Sequence, residues 1–190
     1  IDNNYLGNYY NLTGCLTFID IKVKNLSLST QNTKCEDGIN FIRSNGTIEK
    51  IDILNSKSDG VDFDFSKLQI KNVFINSSNG DCLDFSFGNY ELTNIILKNC
   101  GDKAISIGEK SKLAGGEIKI EKAMTGIASK DSSDVILDNV FVRQTKNCFS
   151  AYRKKQEFSG SILRVNNYEC SEFQNKVSKD KNSIVILNKN

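Results

Sequence analysis

Two consecutive stretches, DGVDFDFSKLQIKNVFINSSNG (59–80) and DCLDFSFGNYELTNIILKNCGD (81–102), decide the fold. Each is 22 residues long, and laid one under the other they match apolar on apolar and turn on turn. Val61 stands over Leu83, Phe63 over Phe85, Val73 over Ile95 and Ile75 over Leu97. Within each unit apolar and polar residues alternate with period two, the spacing of a strand that buries one face. Polar clusters at Ser56–Gly60, Asn76–Gly80 and Asn99–Asp102 separate the strands as turns. Outward from this pair the same step continues: Ile39, Val61, Leu83, Ile105, Ile127 and Phe149 recur every 22 residues. Phe41, Phe63, Phe85 and Ile107 keep that step two residues on, with Ser129 and Ala151 completing the column. The small residues Gly38, Gly60, Cys82, Ala104, Gly126 and Cys148 precede it. A second series at Ile51/Ile53, Val73/Ile75 and Ile95/Leu97 slips by one at Ile118/Ile120 and Val140/Val142, which places a one-residue insertion near Gly115–Gly116.

Strands that repeat at a fixed step, with no helical pattern between them, stack each on its own copy in the next coil. This predicts an all-β, right-handed parallel β-helix of about eight coils with a 22-residue repeat, a rod on the order of 40 Å long. A β-sandwich rarely holds one inward column at a fixed step through six copies. Residues 1–190 read as one domain: 1–14, with Tyr5, Tyr9 and Tyr10, as an N-terminal cap, 15–170 as coils and 171–190 as the last coil. The chain begins on Ile1 without a leader pattern, so it reads as a fragment of a larger protein. No apolar run is long enough to span a membrane.

The absences narrow the chemistry. There is no His, which removes the usual general base near neutrality and every His-containing zinc site or triad. There is no Trp, the best ring for stacking sugars, though six Tyr and eleven Phe remain. Net charge is +2 but uneven: residues 1–100 hold 9 basic and 12 acidic side chains, and 101–190 hold 16 and 11. In a stacked fold that becomes a charge gradient along the rod. Six Cys show no paired C-x-x-C spacing. Cys148 and Cys170, one repeat apart, are expected at the same corner of adjacent coils, close enough to bond, whereas Cys82 and Cys148 are too many coils apart.

Folding the repeat gives the outward columns. Asn40, Asp62, Asp84 and Ser106 form one; Ile42, Asp64, Ser86, Gly108 and Lys130 form the next; Asp37, Asp59 and Asp81 line the preceding turn. Asp62, Asp64 and Asp84 are therefore the candidate metal ligands, and oxygen-only donors favour calcium or magnesium. The plainer reading is solvated carboxylates, with the turn aspartates bonded to backbone N–H groups. Lys103 follows Asp81 in the turn column, so an Asp–Lys pair across coils is expected. Lys103, Lys110 and Lys130 are the candidate catalytic bases, and Tyr152, Arg153, Lys154 and Lys155 the candidate ligand-binding group. Few aromatics accompany these basic residues, so nucleic acid is not the expected partner.

The strings SDGVDFDFS (58–66), GDCLDFSFGN (80–89), CGDKAISIGEKS (100–111), TGIASKDSS (125–133) and SAYRKKQEF (150–158) resemble bacterial β-helix repeat proteins of the pectin-lyase-like superfamily, some of which carry a CotH-type kinase-like domain. The resemblance covers about residues 35–160 and implies carbohydrate as the ligand class and a secreted or cell-surface setting. The hydrolase and epimerase patterns of that superfamily need His and do not carry over. The resemblance leaves calcium-dependent lyase chemistry, with Asp ligands and a Lys or Arg base, as the one enzymatic possibility. The expected function is a non-catalytic recognition or display module binding polysaccharide or a protein partner along one face. The alternatives are a metal-assisted polysaccharide lyase and a structural spacer. Coil lengths that vary by about one residue, leaving no long loop to wall a cleft, favour the first.

Overall fold

The computed structural model describes residues 12–188; the Tyr-rich cap expected at Tyr5, Tyr9 and Tyr10 lies outside them. The chain winds into a parallel β-solenoid of about eight coils with a repeat near 22 residues. The early coils each give a short strand and a long one: β1 (Gly14–Ile19) and β2 (Lys22–Thr33), β3 (Asp37–Ile42) and β4 (Asn45–Ser56), β5 (Asp59–Asp64) and β6 (Lys67–Ser78). After β7 (Leu83–Ser86), the long strands run on through the corner into the next short segment: β8 (Asn89–Gly108), β9 (Lys112–Lys130), β10 (Asp134–Tyr152) and β11 (Ile162–Lys179). The last strand is β12 (Ile184–Leu187). Every strand pairing is parallel, each coil on the one before.

Ile39, Val61, Leu83, Ile105, Ile127 and Phe149 are Cα partners down one inward stack and are fully buried. Beside it Phe18, Phe41, Phe63 and Phe85 stack ring on ring at 4.7, 5.4 and 4.9 Å. The second inward series, Ile53, Ile75, Leu97, Ile120 and Val142, faces them across the core. Its small-residue neighbours leave the room this needs: a Cβ on Gly126 would come within 2.9 Å of Val142 Cγ1.

Buried serines turn one corner. Ser44, Ser66, Ser111, Ser133, Ser161 and Ser183 are buried and each stands immediately before a strand begins. Their hydroxyls bond the backbone of neighbouring coils, as in Ser44 N–H to Ser66 Oγ at 2.9 Å and Ser161 N–H to Ser183 Oγ at 3.0 Å. The preceding position takes the left-handed conformation at Asp20, Arg43, Phe65 and Phe87, with φ between 47° and 55°.

Two expectations about coil length need correction. The extra residue assigned to Gly115–Gly116 lies earlier, at the corner after Gly108. Ser86 pairs with Gly108, an offset of 22, whereas Asn89 already pairs with Lys112, an offset of 23. Two consecutive left-handed residues, Glu109 and Lys110, absorb it. The apolar columns skip this corner, so the slip became visible in them only one strand later. The expectation of near-constant coils fails more plainly after Tyr152. Phe149 pairs with Val177 and Asp134 with Ile162, offsets of 28, so the loop between β10 and β11 carries a real insertion.

Candidate functional site

The outward face of the short strands gathers the chain's carboxylates at one end and its amines toward the other. Inward Val61, Phe63, Leu83 and Phe85 force Asp62, Asp64 and Asp84 outward by simple alternation. Asp62 and Asp84 are Cα partners on adjacent coils. Asn40, one coil earlier and buried, donates its Nδ2 to Asp62 Oδ2 at 3.2 Å and Asp64 Oδ2 at 3.3 Å. Burial, together with the charges of Asp64, Asp84, Asp37 and Asp59, pushes the Asp62 carboxyl up to about 9, and burial also raises Asp64. This pair therefore holds a proton near neutrality, because stacked carboxylates withdrawn from water resist ionising together.

Two of the three turn aspartates bond backbone N–H groups as expected; Asp37 does not, and its Oδ2 is buried without a hydrogen-bond partner among the described residues. Asp59 Oδ1 accepts from Asp81 N–H at 2.8 Å, and Asp81 Oδ1 accepts from Lys103 N–H at 2.8 Å. Burial lifts Asp59 to about 6 and raises Asp81, the latter opposed by Lys103. The expected cross-coil pair is present: Lys103 Nζ lies 3.3 Å from Asp81 Oδ1 and 2.5 Å from Asp102 Oδ2. Burial works against the charge on Lys103, but its bond to Asp102 and the charges of Asp81 and Asp102 prevail and raise its pKa.

Lys130 reaches across two coils. Gly108 intervenes in its column, and the aliphatic stem of Lys130 lies over that glycine, with Cε 3.4 Å from where a Cβ would stand. Lys130 as a whole is 3% exposed, and its ammonium lies 3.9 Å from Asp84 Oδ1, which makes it a buried counter-charge short of hydrogen-bond contact. Lys110 is different: it is exposed at the corner, with its ammonium 5.9 Å from the centroid of Phe158, and it forms no salt bridge with a described residue.

Residues missed in the sequence organise the basic half. Asp131, fully buried, accepts from Lys154 N–H at 2.6 Å and Lys155 N–H at 2.8 Å. Asp180 accepts from Arg153 N–H at 2.7 Å. Buried Glu109 holds Lys155 at 2.7 Å and accepts from Ser86 at 2.7 Å. Burial acts to raise Glu109, but Lys155, Ser86 and the charge of Lys130 outweigh it and lower its pKa. The loop thus folds back along three successive corners: Ser159 meets Ser132, Lys155 meets Glu109, and Phe158 packs edge-on against Phe87 at 6.1 Å. It forms a wall beside the carboxylate face. Arg153 and Lys154 stand exposed on it with no acidic partner among the described residues, and Tyr152 is half-buried at its root. The one signal for this wall was Leu163 and Val165, which resume the inward pattern 28 residues after Val135 and Leu137.

Two grooves, of about 870 and 440 Å³, lie on the other faces of the rod, and none of the candidate residues lines either. All six cysteines are bonded, as Cys15–Cys35, Cys82–Cys100 and Cys148–Cys170. Cys148 and Cys170 come close enough to bond, and they are bonded, but they do not share one corner of adjacent coils. Cys170 stacks on Val142, in the column facing Cys148 across the core, and the loop insertion makes their separation match the repeat by coincidence. Compared with protein-family models, with curated proteins and with solved structures, the chain gives no match.

Proposed function

We propose that this solenoid is a non-catalytic recognition module of a secreted or cell-surface protein, and that it binds an acidic polysaccharide along the face bearing Lys110, Tyr152, Arg153 and Lys154. The observation that carries this reading is the wall loop. Its backbone is pinned by Asp131 and Asp180, while Arg153 and Lys154 meet no acidic side chain among the described residues. A pre-ordered loop holding free cations loses little entropy on binding an anionic chain, and a guanidinium grips carboxylate or sulfate groups through two parallel bonds. Three disulfides accord with an oxidising compartment. Calorimetry against polygalacturonate, a sulfated glycan and a neutral glucan tests it. Binding to the anionic polymers should weaken with salt, and Arg153→Ala with Lys154→Ala should cost roughly tenfold in affinity. Binding to no glycan would leave a protein partner or the spacer role.

The lyase reading keeps one specific support: the ammonium groups of Lys103 and Lys130 stand against Asp81 and Asp84 on a face that the loop walls on one side. Lyase activity would show as rising ultraviolet absorbance from unsaturated products with an acidic glycan, with and without added calcium. No rise removes that reading and leaves the recognition module standing.

A further inference from the structure

Asp59, Asp81 and Asp84 present one carboxylate oxygen each within 4.8 Å of one another, an arrangement found nowhere else among the described residues. Their commitments are one-sided. Asp81 N–H goes to Asp59 Oδ1, and both the N–H and the ammonium of Lys103 go to Asp81 Oδ1. The second oxygens of Asp59 and Asp81 accept no hydrogen bond from a described residue. Asp84 Oδ1 is buried without a partner, since Lys130 stops 3.9 Å away. A second observation is independent of these carboxylates. Ser106 follows Asp84 in the same outward column, has 0% exposure, and its hydroxyl has no hydrogen-bond partner. Inward Ile105 and Ile107 on either side fix that hydroxyl on the carboxylate face beside Asp84. A buried hydroxyl left unpaired is costly and calls for a ligand.

We propose that Asp59, Asp81, Asp84 and Ser106 form a calcium site. The resemblance to lyases allows a cation on this face, but the residues that fit it differ from those the sequence suggested: of Asp62, Asp64 and Asp84, only Asp84 belongs. Asp62 and Asp64 each give an oxygen to Asn40 Nδ2, and neither joins the cluster of close carboxylate oxygens. The donor set is all oxygen, with no His in the chain and every Cys bonded, which selects a hard cation. Calcium accepts an irregular set of oxygens, whereas magnesium demands a near-ideal octahedron, so donors fixed in place by separate coils favour calcium. Lys103 and Lys130 keep positive charge close by, which sets the affinity in the weak range of extracellular calcium modules, on the order of 0.1–1 mM.

Calorimetry with calcium and sensitised terbium luminescence on the disulfide-intact chain, with no glycan present, test this apart from the polysaccharide reading. One calcium per chain is expected, with magnesium at the same concentration binding at least tenfold more weakly. Asp84→Asn and Asp59→Asn should each weaken calcium tenfold or more, and Ser106→Ala several-fold. Lys130→Met, which removes the competing ammonium, should tighten it. Melting curves establish that each variant is folded; a variant that is not is replaced by its neighbour in the set. No calcium binding by the wild type at 10-fold above the expected range overturns the proposal. So does binding undiminished in folded Asp84→Asn, or binding abolished by Asp62→Asn with Asp64→Asn but kept in Asp59→Asn.

Discussion

Gly88 interrupts the serine column, and Tyr90 shows how one residue repairs another. A Cβ on Gly88 would lie 2.2 Å from the Tyr90 hydroxyl, so the phenol fills the space the serine side chain vacates. That hydroxyl donates toward Phe63 O at 2.9 Å or Ser86 O at 3.1 Å and accepts from Ser66 N–H at 3.4 Å, the role of the missing serine. Tyr90→Phe leaves these buried groups unpaired and should cost about 1–3 kcal/mol, read as a lower denaturation midpoint with unchanged slope. Leu83→Ala or Ile105→Ala should cost roughly 2–5 kcal/mol, because each leaves a hole in a stack that its 22-residue neighbours cannot collapse into. The two kinds of residue differ in how far the sequence reveals them. Leu83 and Ile105 advertise their place by recurrence. Tyr90 stands in a column with Leu68 and Leu113 and reads as another apolar residue, since nothing local shows that its hydroxyl serves the coil before it.

The loop between β10 and β11 is where a repeat read from spacing alone goes astray. An alignment followed to Val142 meets Cys148 and Cys170 one repeat apart and takes the coil as ordinary, although the true offset there is 28. Period and pairing are properties of strands, and a loop held by side chains on other coils leaves no periodic trace. What holds it is a buried carboxylate: Asp131 stands at a left-handed corner residue, φ 50°, and gathers two loop N–H groups on one oxygen. Asp131→Ala should release the loop while leaving the coils paired. The expected outcome is faster proteolytic cleavage after Arg153, Lys154 or Lys155, with the melting temperature falling by no more than a few degrees. Phe158→Ala should do so more weakly, because it removes an edge contact with Phe87 and the ring beneath Lys110 but no backbone bond. The carboxylate face shows the opposite balance. Alternation alone sent Asp62, Asp64 and Asp84 outward, but which of them share a proton and which approach Asp59 and Asp81 depends on side-chain reach that spacing does not encode.

Over the whole rod, the acidic end carries an electrostatic load that sets how stability responds to pH. Burial holds Asp59 at about 6 and Asp62 at about 9, and raises Asp37, Asp64 and Asp81 as well. A carboxyl whose pKa is higher in the folded state binds more protons there than in the unfolded chain at any pH between the two values, so folding weakens as pH rises through that window. For Asp59 the window runs from its unfolded value near 4 to about 6, and for Asp62 from near 4 to about 9. Glu109 acts with the opposite sign: its lowered pKa makes its pair with Lys155 a stabilising term that is lost as pH falls below its unfolded value, about 4.3. The two slopes cross where the windows open, so the melting temperature should peak at roughly pH 4 and decline toward pH 9, unlike the broad neutral optimum of a protein whose carboxylates are mostly salt-bridged. Scanning calorimetry from about pH 3 to about pH 9 measures this. Asp62→Asn removes the group with the widest window while keeping an amide to meet Asn40, so it should raise the melting temperature at pH 8.5, leave it nearly unchanged at pH 4, and flatten the curve between. A wild-type profile that rises from pH 5 to pH 8, or an Asp62→Asn variant that melts lower at pH 8.5, would mean that Asp62 is ionised in the folded chain and that its stacking on Asp84 is relieved by a counter-charge other than the proton.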